Sequence, residues 1–225
     1  GDLLISKLGS IPMVRHRKID GRVKQVVIKR QGNSWFAIFC VDRHVDPVVS
    51  KEVKMTALDV GINKFAVLAN GDEIQNPKFL RKEEKKLKKA QQKLSRKIKG
   101  SNNFKEQVTK VQKIHKKVAN QRKDFLHKQS FHLSKDYNLV FVEDLNIRNM
   151  VRNRQLAKSI HDAGWGMFRQ FLTYKLTNNG GQLVKVKPHY TSQDCSKCGT
   201  KIKKSLSIRT HICTNCGLIL DRDHN

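Results

Sequence analysis

Two apolar stretches near the amino terminus have the alternation that is typical of β-strands. Residues 23–29 and 35–41 flank the turn-forming sequence QGNS at 31–34, and together they predict a hairpin. Because an isolated hairpin is only marginally stable, we expect this segment to complete a larger sheet or barrel whose remainder lies upstream of Gly1.

The next hydrophobic pattern predicts three consecutive antiparallel strands. Residues 56–62 form an apolar run that carries a single acid, Asp59. Residues 64–69 form the second strand, the Asn70–Gly71 pair is a tight-turn signal, and the third strand begins at Glu73.

A lysine-rich region follows, in which apolar residues recur at helical spacing. It predicts one helix over 77–99 and a second that ends near residue 134, separated by the helix-breaking sequence GSNN at 100–103. The charged exterior of this helical hairpin fits either a solvated surface or a face that contacts phosphates. The phosphate-contacting face is favoured because lysine far outnumbers the acids that would pair with it along each helix.

The remaining periodic segments predict a strand, a helix and another strand. Residues 139–142 form a short apolar run, typical of a central strand, which Glu143 and Asp144 close. Residues 163–176 are amphipathic, and we interpret Trp165, Phe168, Phe171 and Leu172 as core residues rather than as base-stacking residues. Residues 182–186 predict a further strand.

The net charge narrows the class of partner. The chain has 225 residues, with 46 Lys and Arg against 19 Asp and Glu, a formal charge of +27 and a sequence pI near 10.2. Such self-repulsion is best tolerated beside a polyanion. Nucleic acid is favoured over an anionic membrane, because the cations are spread along the chain and no apolar run approaches the roughly 20 residues of a spanning helix.

Four of the five cysteines form two paired motifs. Cys195 and Cys198 make the first C-x-x-C, Cys213 and Cys216 make the second, and 14 residues separate them. Two such knuckles supply the four thiolates of a closed, structural zinc site, and Gly199 and Gly217 permit the tight turns that this geometry needs. Two disulfides or a redox pair are the alternatives. This cysteine usage and the absence of a signal peptide predict a reduced, intracellular protein.

Three acids form a second candidate metal site. Asp59, Glu143 and Asp223 each lie at or near the end of a buried element, and carboxylate oxygens are the ligands that Mg²⁺ prefers. Two such ions about 4 Å apart support phosphodiester cleavage. The alternative for each acid taken alone is a helix cap or a surface ion pair.

Five segments of the chain resemble the TnpB family of transposon-encoded, RNA-guided DNA nucleases, which are relatives of the compact type V CRISPR effectors. They are ALDVGI at 57–62, FVEDL at 141–145, IHDAGW at 160–165, YTSQDCSKCG at 190–199, and CG at 216–217 with DRDHN at 221–225. The resemblance covers essentially the whole chain, with the motifs in the same order.

The resemblance implies an α/β fold, an RNase H-like (RuvC) mixed sheet with a helical hairpin insertion. It assigns residues 1–52 to the end of a wedge-like β domain derived from a barrel, 53–190 to the nuclease core with its hairpin at 78–134, 191–219 to an inserted zinc ribbon, and 220–225 to a truncated last motif. Asp59, Glu143 and Asp223 become the three catalytic, metal-binding acids. Asp221 is the rival of Asp223, and Asp144 is a less favoured substitute for Glu143.

The same resemblance implies the cofactors, partners and location. Zn²⁺ is structural and Mg²⁺, or Mn²⁺, is catalytic; guide RNA and target DNA are the partners; and the protein acts in the prokaryotic cytoplasm, associated with the nucleoid when bound to DNA. Family members extend further at both ends, so we expect a C-terminal fragment of a longer protein. The alternatives are a guide-dependent DNA-binding regulator, a cleavage-inactive fragment, and a transposase that performs strand transfer.

Overall fold

The computed structural model describes residues 1–32, 34–44, 52–187, 193–205, 208, 210–221 and 225. The chain divides into two units, Gly1–Asp46 and Pro47–Asn225. The predicted division after residue 52 stays a prediction. Among the described helices, none combines the length and the hydrophobicity that a bilayer crossing requires.

The amino-terminal unit consists of two antiparallel strand pairs. Strands β1 (Asp2–Ile5) and β2 (Gly9–Pro12) form the first, which the sequence pattern did not predict because both strands are short. Strands β3 (Arg22–Gln31) and β4 (Ser34–Asp42) form the second, and they confirm the predicted hairpin. Gln31 pairs with Ser34 at the turn.

A five-stranded mixed sheet forms the centre of the second unit, with the order β7-β6-β5-β8-β9. Its strands are β5 (Met55–Val60), β6 (Lys64–Leu68), β7 (Glu73–Gln75), β8 (Leu139–Glu143) and β9 (Gln182–Val186). The first three are antiparallel, as predicted, whereas β8 and β9 run parallel to β5. All five strands were expected from the apolar runs.

Five helices accompany this sheet within the described residues: α1 (Phe79–Ser95), α2 (Asn102–Asp136), α3 (Ile147–Met150), α4 (Arg154–Ala163) and α5 (Trp165–Asn178). Helices α1 and α2 are the predicted hairpin, and the Ser101 hydroxyl caps α2 by accepting from the Phe104 amide at 3.1 Å. The helix predicted over 163–176 corresponds to α5. Helix α4 was not predicted; it ends at Ala163, and the cap residue Gly164, with a φ of 71°, turns the chain into α5.

The core lies between the sheet and helices α2, α4 and α5. Phe65 of β6 is fully buried and makes edge-to-face contacts with Phe125 and Phe168, with ring centroids 5.1 and 5.0 Å apart. Trp165 and Leu172 are also buried in this cluster, and Phe171 is partly buried against it. Their interpretation as core residues is confirmed.

The cysteine-containing lobe is built on short elements. Strands β10 (Thr210–Ile212) and β11 (Ile219–Asp221) form an antiparallel pair, and an isolated bridge joins Asp194 to Lys201. Such a small element buries few apolar side chains, so its stability has to come from elsewhere.

Candidate functional site

Asp59 and Glu143 lie at the carboxyl ends of two neighbouring parallel strands. The pairing of β5 with β8 ends with Leu58 opposite Val142, so the next residue of each strand is the acid. Neighbouring strands are about 4.8 Å apart, and residues in one register point to the same face of a sheet. The register therefore places two of the three predicted acids side by side.

The burial pattern shows which face carries these acids. Leu58 and Val142 are 3% and 8% exposed and belong to the core cluster. Met55, on the opposite face of β5, is 60% exposed. Because side chains alternate along a strand, Asp59 and Glu143 lie on the same face as Met55, where both are half-buried. The pair is accessible from outside the core.

Asp144 follows Glu143 but has a different environment. Its carboxylate forms salt bridges with Arg169 at 3.1 Å and with Lys185 at 3.6 Å, and its amide donates to the Val186 carbonyl at 2.8 Å. These contacts connect the end of β8 to α5 and β9. A carboxylate held between two cations is a surface ion pair, which makes Asp144 a poor substitute for Glu143.

The third predicted acid, Asp223, lies outside the described residues. Its rival Asp221 ends β11, opposite Thr210, and its carbonyl accepts a hydrogen bond from the Asn225 amide at 2.9 Å. The choice between the two aspartates stays a prediction.

The four paired cysteines converge on one point. Their Sγ atoms all lie within 4.8 Å of one another; Cys195 and Cys216 are 3.6 Å apart, and Cys198 and Cys213 are 3.5 Å apart. All four are free thiols. Hydrogen bonds with the Thr200 side chain and backbone lower the pKa of Cys198 to about 5, which favours its thiolate. Cys216 behaves in the opposite way: a hydrogen bond with the Leu218 backbone lowers its pKa, but burial and the three neighbouring cysteines raise it to about 12. The cluster can hold one metal ion.

The two knuckles share one backbone geometry. In each, the amide of the first cysteine donates to the carbonyl five residues later, and the glycine between them adopts a left-handed φ near 70°. The hydrogen bonds join Cys195 to Thr200 (3.0 Å) and Cys213 to Leu218 (2.8 Å), and the glycines are Gly199 and Gly217. This confirms the tight turns predicted at both glycines.

Asn225 connects the last motif to the first knuckle. Its side-chain oxygen accepts from the Ser196 amide at 3.1 Å, and its side-chain nitrogen donates to the Asp194 carbonyl at 2.8 Å. Both partners flank Cys195. Sequence reasoning missed this contact, because nothing in the spacing of the motifs indicates a partner 29 to 31 residues away.

A buried histidine lies within the lobe, on β10. His211 is fully buried, and its Nδ1 is 2.7 Å from Lys204 Nζ. Burial lowers the pKa of His211 and the nearby Lys204 ammonium lowers it further, so the neutral ring is favoured. Neutral Nδ1 can then accept a hydrogen bond from the lysine.

Asp162, part of the IHDAGW segment, is the second residue whose role the sequence did not reveal. It is 7% exposed, and both of its carboxylate oxygens accept from the Leu80 amide, at 3.1 and 3.0 Å. Arg122 pairs with it at 2.9 Å. The apolar neighbours Ile160 and Ala163 were the available signal, because an acid between two core residues needs buried partners.

The helical hairpin carries a large excess of positive charge. Helix α1 contains seven Lys and Arg against two acids, and α2 contains nine against three. Lys86 and Lys117 share Glu83, and Lys128 pairs with Asp124. Most of the hairpin's lysines have no acid within salt-bridge distance among the described residues, so this surface favours an anionic partner.

Two protein families have sequence models that match this chain. The OrfB_IS605 family, described as "Probable transposase", matches residues 38–154. The "Cas12f1-like, TNB domain" family matches residues 165–225, which include all four paired cysteines.

Curated relatives match nearly the whole chain. Two carry the name "Putative RNA-guided DNA endonuclease": InsQ of Escherichia coli K12 is 34% identical over 90% of this chain and 54% of its own length, and a Streptomyces pristinaespiralis protein is 36% identical over 88% and 50%. TnpB-like protein L79 of Acanthamoeba polyphaga mimivirus is 26% identical over 79% and 36%. The chain thus spans about half the length of the first two relatives.

Solved structures share the fold. A Cas12f1–sgRNA–target DNA complex superposes with a TM-score of 0.52 at 19% identity, over 89% of this chain and 54% of that one. A CRISPR–Cas12f ternary complex gives 0.56 at 19% identity, over 85% and 40%. The mixed α/β fold therefore resembles part of the Cas12f1 fold. Since the OrfB_IS605 match from 38 to 154 alone spans more than half of the chain, and its relatives include TnpB-like proteins, this chain belongs to the OrfB_IS605 family of TnpB-like proteins.

Proposed function

We propose that this chain is the catalytic part of an RNA-guided, metal-dependent DNA endonuclease. The observation that carries the proposal is the register of β5 and β8, which sets Asp59 beside Glu143 at the end of two parallel strands. Two carboxylates on adjacent strands offer the closely spaced oxygen ligands that a hard divalent cation prefers.

The proposed fold is RNase H-like, of the RuvC type. The supporting features are the three antiparallel strands continued by two parallel ones, and the helices that pack on the core face. On this proposal, residues 1–52 close a wedge-like domain, residues 53–190 are the nuclease core, and residues 191–219 are a zinc ribbon inserted before the last motif at 220–225.

The acids are proposed to hold Mg²⁺, or Mn²⁺. Asp59 and Glu143 offer carboxylate oxygens from one face of the sheet, and Asp223 is proposed as the third ligand, as in the family motif. This donor set suits a hard divalent cation. Two bound ions about 4 Å apart would activate water and stabilise the leaving oxygen of the phosphodiester. The protein's own contribution is to fix the carboxylates on adjacent strands, so that little reorganisation is needed.

The cysteine cluster is proposed to hold one structural Zn²⁺. A tetrahedron with metal–sulfur distances of about 2.3 Å has edges of about 3.8 Å, close to the two Sγ–Sγ separations of 3.5 and 3.6 Å. All four ligands come from the protein, so the site is closed and takes no part in the chemistry. Zinc would supply the stability that the short β10–β11 pair lacks.

Guide RNA and target DNA are the proposed partners. Pairing with the guide would select the sequence, while the lysine-rich hairpin would contact phosphates without reading bases. A strand brought to the acids would then be cleaved by hydrolysis, without a covalent enzyme intermediate. Binding that depends on so many lysines should weaken steeply as salt is raised.

The test is Mg²⁺-dependent cleavage of single-stranded DNA by the 225-residue chain. Asp59→Asn and Glu143→Gln should each lower the cleavage rate by more than about 100-fold, as expected when several kcal/mol of metal-ion stabilisation is lost. Asp144→Asn is the matched control, because it neutralises the adjacent acid without touching the proposed metal site, and it should cut at close to the wild-type rate.

Three outcomes would count against the proposal. An Asp59→Asn variant that cleaves DNA at the wild-type rate would contradict the assignment of these acids as catalytic. Salt-sensitive binding with no cleavage would favour the guide-dependent regulator or the inactive fragment. Joined products, instead of free 3′-hydroxyl ends, would favour strand transfer by a transposase.

A further inference from the structure

A cavity lies outside the acidic site, where three segments of the nuclease core meet. It is lined by the turn after β5 (Ile62 and Asn63), by the segment leading into α1, and by α4. Its volume is about 230 Å³. Since small-molecule sites usually span about 300 to 1,000 Å³, and one water takes about 30 Å³, the cavity suits a phosphate-sized group rather than a whole nucleotide cofactor.

The walls of the cavity are held by hydrogen bonds. The Asn76 side chain donates to the Ile62 carbonyl at 2.7 Å, and its oxygen accepts from the Lys78 amide at 3.2 Å. Asp162, which also lines the cavity, fixes the start of α1 by accepting from the Leu80 amide. The cavity is therefore formed before any ligand arrives, which lowers the cost of binding.

The charges around the cavity favour an anion. Lys78, Arg81 and Lys158 line it, and Asp162 is the acid among the lining residues. Asp162 is paired with Arg122, which does not line the cavity. Lys158 is paired with Glu84. Lys78 and Arg81 take part in no salt bridge within the part of the chain that the structure describes. The pKa of Glu84 is lowered mainly by Lys158 and to a lesser degree by the more distant Arg81. Lys78 and Arg81 therefore each retain hydrogen-bond donors for a ligand.

Lys78 is held in an unusual backbone conformation. Its φ of 50° and ψ of 49° are left-handed, a conformation that is unfavourable for a residue with a Cβ. Strain of this kind is typical of residues that a functional site holds in place. This conformation places a lysine in the cavity wall, immediately before α1.

The position of the cavity connects it to the proposed nuclease centre. Ile62 is three residues beyond Asp59, a distance of at most about 11 Å along the chain. We infer that this cavity binds one phosphodiester of the nucleic-acid strand that reaches the acids, with Lys78 and Arg81 as its cationic contacts. The inference rests on the proposed function and adds to it a subsite that holds the strand in place. Arginine and lysine beside neutral polar groups are the usual contacts of backbone phosphates.

The test compares matched pairs of charge changes by fluorescence anisotropy with a labelled 20-nucleotide single strand. Lys78→Gln/Arg81→Gln should weaken binding by about tenfold, the factor that one charge-assisted contact contributes, and should lower the salt slope by about 0.7. Arg148→Gln/Arg152→Gln removes the same charge from exposed positions on α3 and just after it, outside both the cavity and the hairpin, and should weaken binding less than about threefold. Equal losses in the two double variants would overturn the inference.

A second pair of variants distinguishes a loss of the binding site from a loss of folded protein. Ser159→Asp adds a carboxylate to the cavity wall, whereas Ser95→Asp adds one at the far end of α1. With thermal melts checked against the wild type, only Ser159→Asp should weaken binding as the cavity double variant does. Equal binding by the two aspartate variants would also overturn the inference.

The strand is identified by running DNA and RNA of the same sequence. Weaker DNA binding by the cavity variants than by the wild type would assign the cavity to the strand that is cut. A loss on RNA alone would keep a phosphodiester as the ligand but would overturn its assignment to that strand in favour of the guide. Wild-type protein that binds neither strand would overturn both this inference and the proposed function, whereas binding without metal-dependent cleavage would contradict only the proposed function.

Discussion

Arg122 donates to two atoms of Asp162: its Nε to the backbone carbonyl at 2.7 Å and its Nη2 to the carboxylate at 2.9 Å. The carboxylate in turn accepts from the Leu80 amide. One buried acid therefore joins α1, α2 and α4. The helical hairpin is fixed to the core at this point, and Asp162 also lines the cavity between the turn after β5, α1 and α4.

Removing this acid should destabilise the protein strongly. Asp162→Ala leaves a guanidinium that is only 20% exposed without its partner and also removes the cap of α1. We expect the free energy of unfolding to fall by about 3 kcal/mol, at the lower end for a broken buried pair because Arg122 keeps some access to water. Urea denaturation measures this change.

The matched control is Asp124→Ala, which breaks a pair on the surface of α2. Asp124 and Lys128 have side chains 63% and 66% exposed, so the loss should stay below about 1 kcal/mol. A similar loss in the two variants would contradict the structural role of Asp162.

Metal content should follow the cysteine cluster. Cys213→Ser should lower bound zinc from one ion per chain to near zero and expose the β10–β11 amides to hydrogen exchange, because the lobe depends on its metal. Cys40→Ser, which replaces the exposed free cysteine of the amino-terminal unit, should retain the full zinc content. Zinc retained by Cys213→Ser would argue against a four-cysteine site.

Asn225→Ala should loosen the contact between the last motif and the first knuckle. The Ser196 amide loses its acceptor in this variant and should exchange with solvent faster, by about tenfold or more. The Gly199 amide donates to Cys195 and serves as an internal control, so its exchange should not change. Unchanged protection at Ser196 would show that the side-chain contact does not persist in solution.

Stability should decline in mild acid through His127. Burial lowers the pKa of His127, the Lys175 and Lys123 ammonium groups lower it further, and Asp124 opposes them. The unfolded state therefore binds more protons than the folded state below about pH 6.5, so the free energy of unfolding falls as the pH drops toward the folded pKa and then levels off.

His127→Phe should flatten that pH dependence, because it removes the proton site while keeping an aromatic ring beside Phe171, whose centroid lies 3.9 Å away. Urea titrations between pH 5 and 8 compare the two proteins. An NMR titration of His127 with a midpoint above 6.5 would contradict the prediction.

The elements that the sequence predicted well are those with local signals. The strand expected over 182–186 has those bounds in the structure, because an apolar run between turn residues is a local pattern. The helix predicted over 163–176 ran through Gly164, whereas the left-handed φ of Gly164 separates α4 from α5. A Cβ at Gly164 would lie 3.1 Å from Arg122 and 3.2 Å from Leu126, a constraint that only the packed structure reveals.

The candidate site was predicted only in part for the same reason. The cysteine spacing is short and stereotyped, so it indicated a metal cluster directly. The proximity of Asp59 to Glu143 depends on the pairing of two strands that are distant in sequence, which no local pattern encodes. The roles of Asp162 and Asn225 likewise depend on partners up to 82 and 31 residues away.

The α1–α2 hairpin separates, along the chain, the two strands that carry the acids. The Lys54 amide at the start of β5 donates to the Asn138 side chain at the start of β8, 84 residues later. Helices form within about a microsecond, whereas pairing of distant strands is slow. We therefore expect the hairpin to form first and to reduce the effective separation between β5 and β8 before these strands pair. The carboxylates of Asp59 and Glu143 would then become neighbours only late in folding, so that earlier intermediates would bind no catalytic metal.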